Sequence, residues 1–101
     1  LSPKILLVEP NKRLSWQYHH RREEVWTVLE GPVEIVISDS DELVPGKKYQ
    51  AGEFVNISLG QRHRLVGLEN WGIVAEIWIH TDPNNPSNED DIVRVEDDFN
   101  R

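Results

Sequence analysis

The sequence predicts an all-β fold, a small antiparallel β-barrel, from three observations. Short runs rich in β-branched and aromatic residues, such as 33–37 and 73–79, read as strands. Gly and Pro punctuate the chain at short intervals, at Pro10, Gly31-Pro32, Pro45-Gly46, Gly52 and Gly60. No stretch carries a sustained helical period.

Each element follows in order. Lys4 to Glu9 reads as a strand closed by Pro10. Asn11, Lys12 and Arg13 turn the chain into a second strand, Leu14 to Tyr18. A third runs from Glu24 to Glu30, with Val25, Thr27 and Leu29 on one face and Glu24, Trp26 and Val28 on the other. Gly31-Pro32 breaks it, and Val33 to Ile37 is its expected hairpin partner. Ser38 to Glu42 makes a hairpin tip or short loop, and Val44-Pro45-Gly46 a further turn. Gly52 precedes a strand from Phe54, Gly60 precedes the strand expected to carry His63, and Ile73 to Ile79 is the last strong β run. A polar loop with two prolines follows at 81–88, then an acidic tail at 89–101. Ile92, Val93 and Phe99 would dock that tail, or its charge would leave it frayed. One domain, 1–101, is expected, without internal repeats.

Eleven Lys and Arg against 18 Asp and Glu give a net charge of -7, which argues against a nucleic-acid partner. No segment has the length of a membrane span or the pattern of a signal peptide. The lack of cysteine excludes disulfides and thiolate metal sites, fits a cytoplasmic location, and leaves imidazole and oxygen ligands. Basic side chains gather locally at Lys12, Arg13, Arg21, Arg22, Arg62 and Arg64, so a small anion such as a phosphorylated sugar remains a compatible ligand.

Four residues carry the chemistry. Gln17 and His19 are two apart and leave the same face of an extended strand. Glu24 returns on the next stretch, and His63 comes from a strand across the barrel. An amide oxygen, two imidazoles and a carboxylate would converge on a divalent metal with room for water or substrate. Zinc is the preferred ion, with Mn, Fe, Ni or Co compatible. Without a metal, the same side chains would form a buried polar network.

A base is also needed for proton-transfer chemistry. His20, Glu76 and His80 are the candidates; Glu76, Trp78 and His80 share a face of the last strong strand. His20 and His80 are otherwise surface or packing histidines. Arg22, Arg13, Arg62 and Arg64 are candidate phosphate contacts, Arg22 alternatively pairing with Glu23 or Glu24. Trp26 and Trp78 are candidate walls of a sugar site, Trp26 alternatively barrel packing.

The spacing resembles the cupin superfamily, small β-barrels of the double-stranded β-helix or jelly-roll type with two metal-binding motifs. The first motif usually supplies two His and a Glu before a Gly, and Gln17, His19, Glu24 and Gly31 occupy that pattern. In the second, Gly52, Ser58, Gly60 and His63 match, with Ser58 in a proline's place.

More specifically, the chain is similar to the C-terminal cupin domain of type II mannose-6-phosphate isomerases, often fused to mannose-1-phosphate guanylyltransferase. The similarity is carried by Leu14-Ser15-Trp16-Gln17-Tyr18-His19-His20, Arg22, Glu24 and Trp26. It continues through His63-Arg64-Leu65, Asn70 and Gly72, then Glu89-Asp90-Asp91-Ile92-Val93-Arg94, Glu96-Asp97-Asp98 and Arg101. Trp78 and His80 stand near positions where the family often has Glu and Gln, and a few residues between Leu65 and Asn70 are extra. Nothing resembles a nucleotidyltransferase domain.

The resemblance implies a Gln-His-Glu-His metal set and a metal-dependent sugar-phosphate isomerase interconverting mannose 6-phosphate and fructose 6-phosphate. A non-catalytic sugar or sugar-nucleotide binding cupin, and another cupin metalloenzyme such as an Fe(II) oxygenase, are the alternatives. A homodimer is expected, because a small barrel with hydrophobic strands gains stability by pairing.

Overall fold

The computed structural model describes residues 3–98 of the 101, and these form nine strands without a helix. Phe99 and Arg101 of the tail lie outside the described residues. The strands are β1 (Lys4–Val8), β2 (Trp16–Tyr18), β3 (Arg22–Glu30), β4 (Val33–Ser38), β5 (Lys47–Tyr49), β6 (Phe54–Ile57), β7 (Arg62–Gly67), β8 (Gly72–His80) and β9 (Val93–Glu96). They make two antiparallel sheets, a four-stranded one in the order β1-β8-β3-β6 and a five-stranded one in the order β5-β4-β7-β2-β9. The fold is all-β and of the jelly-roll type. Among the described residues, the ladders do not close into a continuous barrel.

The longest strands form where side chains alternate most cleanly. On β3, Arg22, Glu24, Trp26 and Val28 point inward; on β8, Gly72, Val74 and Glu76 do. The core joins both sheets through Val8, Trp26, Val28, Ile57 and Val74 on one side and Val33, Ile35 and Leu65 on the other. Burying one such aliphatic side chain contributes about 1.5–3 kcal/mol, so this cluster is what holds the sheets face to face.

Three expectations change. The hairpin between the third strand and Val33–Ile37 does not form: β3 pairs with β8 and β6, whereas β4 pairs with β5 and β7 in the other sheet. Pro32 has no N–H to give a ladder, and Gly31-Pro32 carries the chain from one sheet to the other. The second strand is shorter than expected, with Leu14 and Ser15 outside it, and the third begins earlier, at Arg22. The tail is docked: β9 lies along β2, with Gln17 opposite Arg94 and Tyr18 opposite Val93.

The tight turn after β1 places Asn11 at φ 61, a conformation Asn tolerates, with its N–H bonded to the Leu68 carbonyl at 2.9 Å. The turn lies so close to β7 that a Cβ on Gly67 would overlap the Glu9 carbonyl oxygen. Among the described residues no helix is long and apolar enough to cross a membrane.

Candidate metal centre

The space between the sheets is divided. Val28 and Val74 continue the apolar core, while Arg22, Glu24 and Glu76 make the other end polar, with Trp26 at the boundary. Register explains the grouping: across β3 and β8, Trp26 faces Glu76 and Glu24 faces Trp78. His63 enters from β7 in the opposite sheet, and His19 from just beyond β2.

His19, Glu24 and His63 converge. His19 Nε2 lies 3.3 Å from His63 Nε2 and 3.2 Å from Glu24 Oε2, and His63 Nε2 lies 3.6 Å from Glu24 Oε1. Ligand atoms held tetrahedrally at zinc–nitrogen and zinc–oxygen bond lengths are roughly 3.3 Å apart, so these separations are those of a closed coordination face. All three residues are buried, at 1 to 2% exposure.

The histidine tautomers point the same way. His19 Nδ1 is 2.6 Å from the Asp91 carbonyl, and His63 Nδ1 is 2.9 Å from the Gln61 carbonyl. A carbonyl oxygen only accepts, so each ring carries its proton on Nδ1 and presents an Nε2 lone pair to the other. The Arg22 guanidinium meets part of this cluster, with Nη2 3.3 Å from His19 Nε2 and Nε 2.7 Å from Glu24 Oε2. The two imidazoles and the carboxylate are a donor set that fits a divalent metal.

Electrostatics sharpens the set. Burial lowers the His63 pKa to about 4, partly opposed by Glu24, so this imidazole is neutral at physiological pH. Burial by itself would raise Glu24, but the Arg22 guanidinium, whose Nε donates to Oε2 at 2.7 Å, helps hold it below the ordinary carboxylate range. Glu76 moves oppositely. Burial, then the charge of Glu24, pushes it up to about 7, although the Trp78 indole opposes the shift.

Gln17 is the cross-strand neighbour of His63, and its Oε1 accepts from the Ser15 hydroxyl. It lines a cleft of about 170 Å³ that His19, Glu24 and His63 do not themselves line; Arg22 and Trp26, both hydrogen-bonded to Glu24, stand between. Arg22, Trp26, Glu76 and Trp78 also line this cleft. Trp26 donates its indole N–H to Glu24 and Glu76, and Trp78 donates to Glu76 at 2.7 Å. Arg22 makes the ion pair with Glu24, Nε to Oε2 at 2.7 Å, and its guanidinium lies 3.6 Å from the Trp78 ring centroid.

Other candidates are placed elsewhere. His20 is exposed against Tyr18, and His80 Nδ1 accepts the Ser87 backbone N–H at 3.0 Å; neither lines the cleft. Arg13 binds Asp98, Arg62 binds Asp41 and covers Tyr18, and buried Arg64 binds Glu96 and the Leu14 carbonyl. None of these three arginines lines the cleft.

The sequence reading missed the cleft's other cations, Lys4 and Arg94. Lys4 pairs with Glu89, and Arg94 lies 3.8 Å from Asp97. The alternation of Val93-Arg94-Val95-Glu96 carried a local strand signal, but only the pairing with β2 places Arg94 opposite Gln17. Nothing local marks Lys4. Asp91 was also missed: burial disfavours its charge, yet hydrogen bonds from Ser87 and the backbone of His20 and Arg21 keep its pKa low.

The family model described as mannose-6-phosphate isomerase C-terminal matches residues 2–97. Mannose-1-phosphate guanylyltransferase 2 of Escherichia coli O157:H7 is 35% identical over 91 residues, which are 90% of this chain and 17% of that protein. The chain thus spans under a fifth of the length of this curated relative. Among solved structures, the capsular polysaccharide assembling protein CapF of Staphylococcus aureus superposes with a TM-score of 0.73 at 21% identity, covering 93% of this chain and 28% of that one. A Cupin 2 conserved barrel domain protein of Salinispora arenicola gives 0.64 at 22% identity, covering 81% and 63%. At these identities the structures speak for the cupin fold.

Proposed function

The chain belongs to the mannose-6-phosphate isomerase C-terminal family, and from that premise we propose that it is a metal-dependent sugar-phosphate isomerase interconverting mannose 6-phosphate and fructose 6-phosphate. The observation that supports this most is the convergence of His19 Nε2, His63 Nε2 and the Glu24 carboxylate beside a cleft that also holds a buried carboxyl of raised pKa.

In this reading His19, Glu24 and His63, with Gln17 from the neighbouring strand, hold one divalent ion, zinc preferred. Such an ion supplies Lewis acidity toward a sugar carbonyl and its adjacent hydroxyl. The protein's own groups do the rest. Aldose–ketose isomerisation moves a proton between neighbouring carbons, and Glu76, whose pKa burial raises, is the cleft group suited to carry it. Lys4 and Arg94 take the phosphate, Lys4 exchanging the Glu89 carboxylate for phosphate oxygens. Arg22 holds Glu24 in orientation, and Trp26 and Trp78 wall the sugar.

The test is a coupled assay of the purified chain with mannose 6-phosphate and with fructose 6-phosphate, before and after chelation. Turnover that disappears with chelator and returns with metal supports the proposal; a correctly loaded, inactive protein rejects it. A second reading, a non-catalytic sugar or sugar-nucleotide binding cupin, is favoured by Trp78, whose ring stacks on Arg22 at the cleft wall near where the family often has a Glu. Calorimetric binding of a phosphorylated sugar without turnover would select it.

The homodimer belongs to the same proposal. The outer face of β1 and β8 exposes Ile5, Leu7, Ile77 and Ile79, the kind of apolar surface that a twofold contact with a second copy buries. Sedimentation showing only monomer at working concentration would contradict it.

A further inference from the structure

His19 sits where the sheet cannot hold it. β2 ends at Tyr18 and β3 begins at Arg22, so His19 to Arg21 lie outside the strands. Their positions are set instead by a segment some 70 residues further along the chain. The Asp91 carbonyl accepts from His19 Nδ1 at 2.6 Å. The Asp91 carboxylate accepts the backbone N–H of His20 at 2.8 Å, that of Arg21 at 2.9 Å, and the Ser87 hydroxyl at 2.6 Å. Ser87 and the Asn88 carbonyl in turn accept Arg22 Nη1 at 3.0 and 3.1 Å. Asp91 is 5% exposed, so its carboxylate is buried and the bonds it accepts are charge-assisted.

Granted His19, Glu24 and His63 as metal ligands, the reading on which this rests, we infer that Asp91 is a positioning residue for the metal centre. Its carbonyl fixes the tautomer and direction of the His19 ring. Its carboxylate clamps the two peptide groups after His19 and, through Ser87, the guanidinium that steers Glu24. The acidic stretch Glu89-Asp90-Asp91 thus contributes one buried acceptor with a defined task, where composition alone shows only a charged tail. Outer partners of metal-bound histidines are commonly worth 10–100-fold in metal affinity.

The test titrates Zn²⁺ by calorimetry into the metal-stripped 101-residue chain and reads the His19 ring by ¹⁵N NMR in the same stripped protein. Asp91→Ala keeps the backbone carbonyl but removes the carboxylate that anchors its segment to His20, Arg21 and Ser87. It is expected to weaken Zn²⁺ binding about 10–100-fold and, by letting that carbonyl shift, to release His19 from a pure Nδ1–H tautomer into a mixture, while His63, held by the Gln61 carbonyl, keeps its own. Asp91→Asn and Ser87→Ala, which leave part of the clamp, should show smaller losses and serve if Asp91→Ala does not fold. A clamp that only stabilised the fold would lower the unfolding midpoint and leave both the affinity of the folded protein and the His19 tautomer unchanged. Zn²⁺ affinity within twofold of wild type, with His19 unchanged, overturns the inference by itself. A wild-type chain that takes up no Zn²⁺ overturns the metal reading and this inference together, whereas unchanged affinity in the variant of a chain that does bind Zn²⁺ overturns the inference alone.

Discussion

Glu24 and Glu76 accept the same indole N–H, that of Trp26, at 2.8 and 3.0 Å. Two buried carboxyls this close do not both ionise easily, and their surroundings divide the roles. Glu24 has the Arg22 guanidinium to sustain its charge. Glu76 has chiefly indoles, and its pKa rises to about 7 under burial and the charge of Glu24. One is suited to bind a cation, the other to carry a proton at neutral pH.

The raised Glu76 pKa makes the metal-free protein lose stability as pH rises. Below about 4.5 both folded and unfolded chains bind this proton; between there and about 7 only the folded chain does, so stability falls across that window, by roughly 3 kcal/mol in full. His63 acts in the opposite sense: from about 4 to 6.5 the unfolded chain binds the extra proton, and stability rises with pH. Glu76→Gln removes only the first effect. In chelator, its urea midpoint should gain on wild type from pH 5 to about pH 7 and then level off; parallel profiles would count against the assignment.

Turnover should separate Glu76 from the ligands. Glu76→Gln is expected to lower kcat by about 10²–10⁴, the usual worth of a positioned acid or base, with Zn²⁺ content unchanged. His63→Ala should lose both metal and activity. Metal analysis beside the coupled assay distinguishes them.

Phosphate recognition should follow the cleft's cations. Lys4→Ala and Arg94→Ala should each raise KM for mannose 6-phosphate about tenfold with kcat little changed, the mark of lost ground-state binding. Arg13→Ala and Arg62→Ala, whose partners are Asp98 and Asp41, should leave both constants near wild type. The reverse pattern would move the anion site out of the cleft.

Gly67→Ala should destabilise the fold without touching the site. The added methyl meets the Glu9 carbonyl oxygen, and relieving the overlap displaces the turn after β1, at a cost of about 1–3 kcal/mol. Thermal unfolding measures it; an unchanged midpoint would mean the turn yields freely.

What the sequence disclosed follows from the range of the interactions. The strands now seen as β3 and β8 were legible because their two-residue alternation is written locally, and the convergence of His19, Glu24 and His63 because few residue types suit a metal and all three fall in one pattern. β9 was not read as a strand, since its partner β2 is more than 70 residues away and only their pairing places Arg94 opposite Gln17. Arg13 and Arg62 looked like anion ligands because their carboxylate partners are likewise distant in sequence. The change of sheet at Gly31-Pro32 was hidden for a related reason: a turn signal says that the chain bends, not which strand it meets next.

The most direct measurement is anomalous scattering from crystals of the chain loaded with Zn²⁺ and mannose 6-phosphate. The expected result is one peak per chain, about 2.0–2.2 Å from His19 Nε2, His63 Nε2 and a Glu24 oxygen, with the sugar reaching it through the cleft and the phosphate at Lys4 and Arg94. No peak among those three side chains, or a metal sealed from the cleft, would contradict the proposed chemistry.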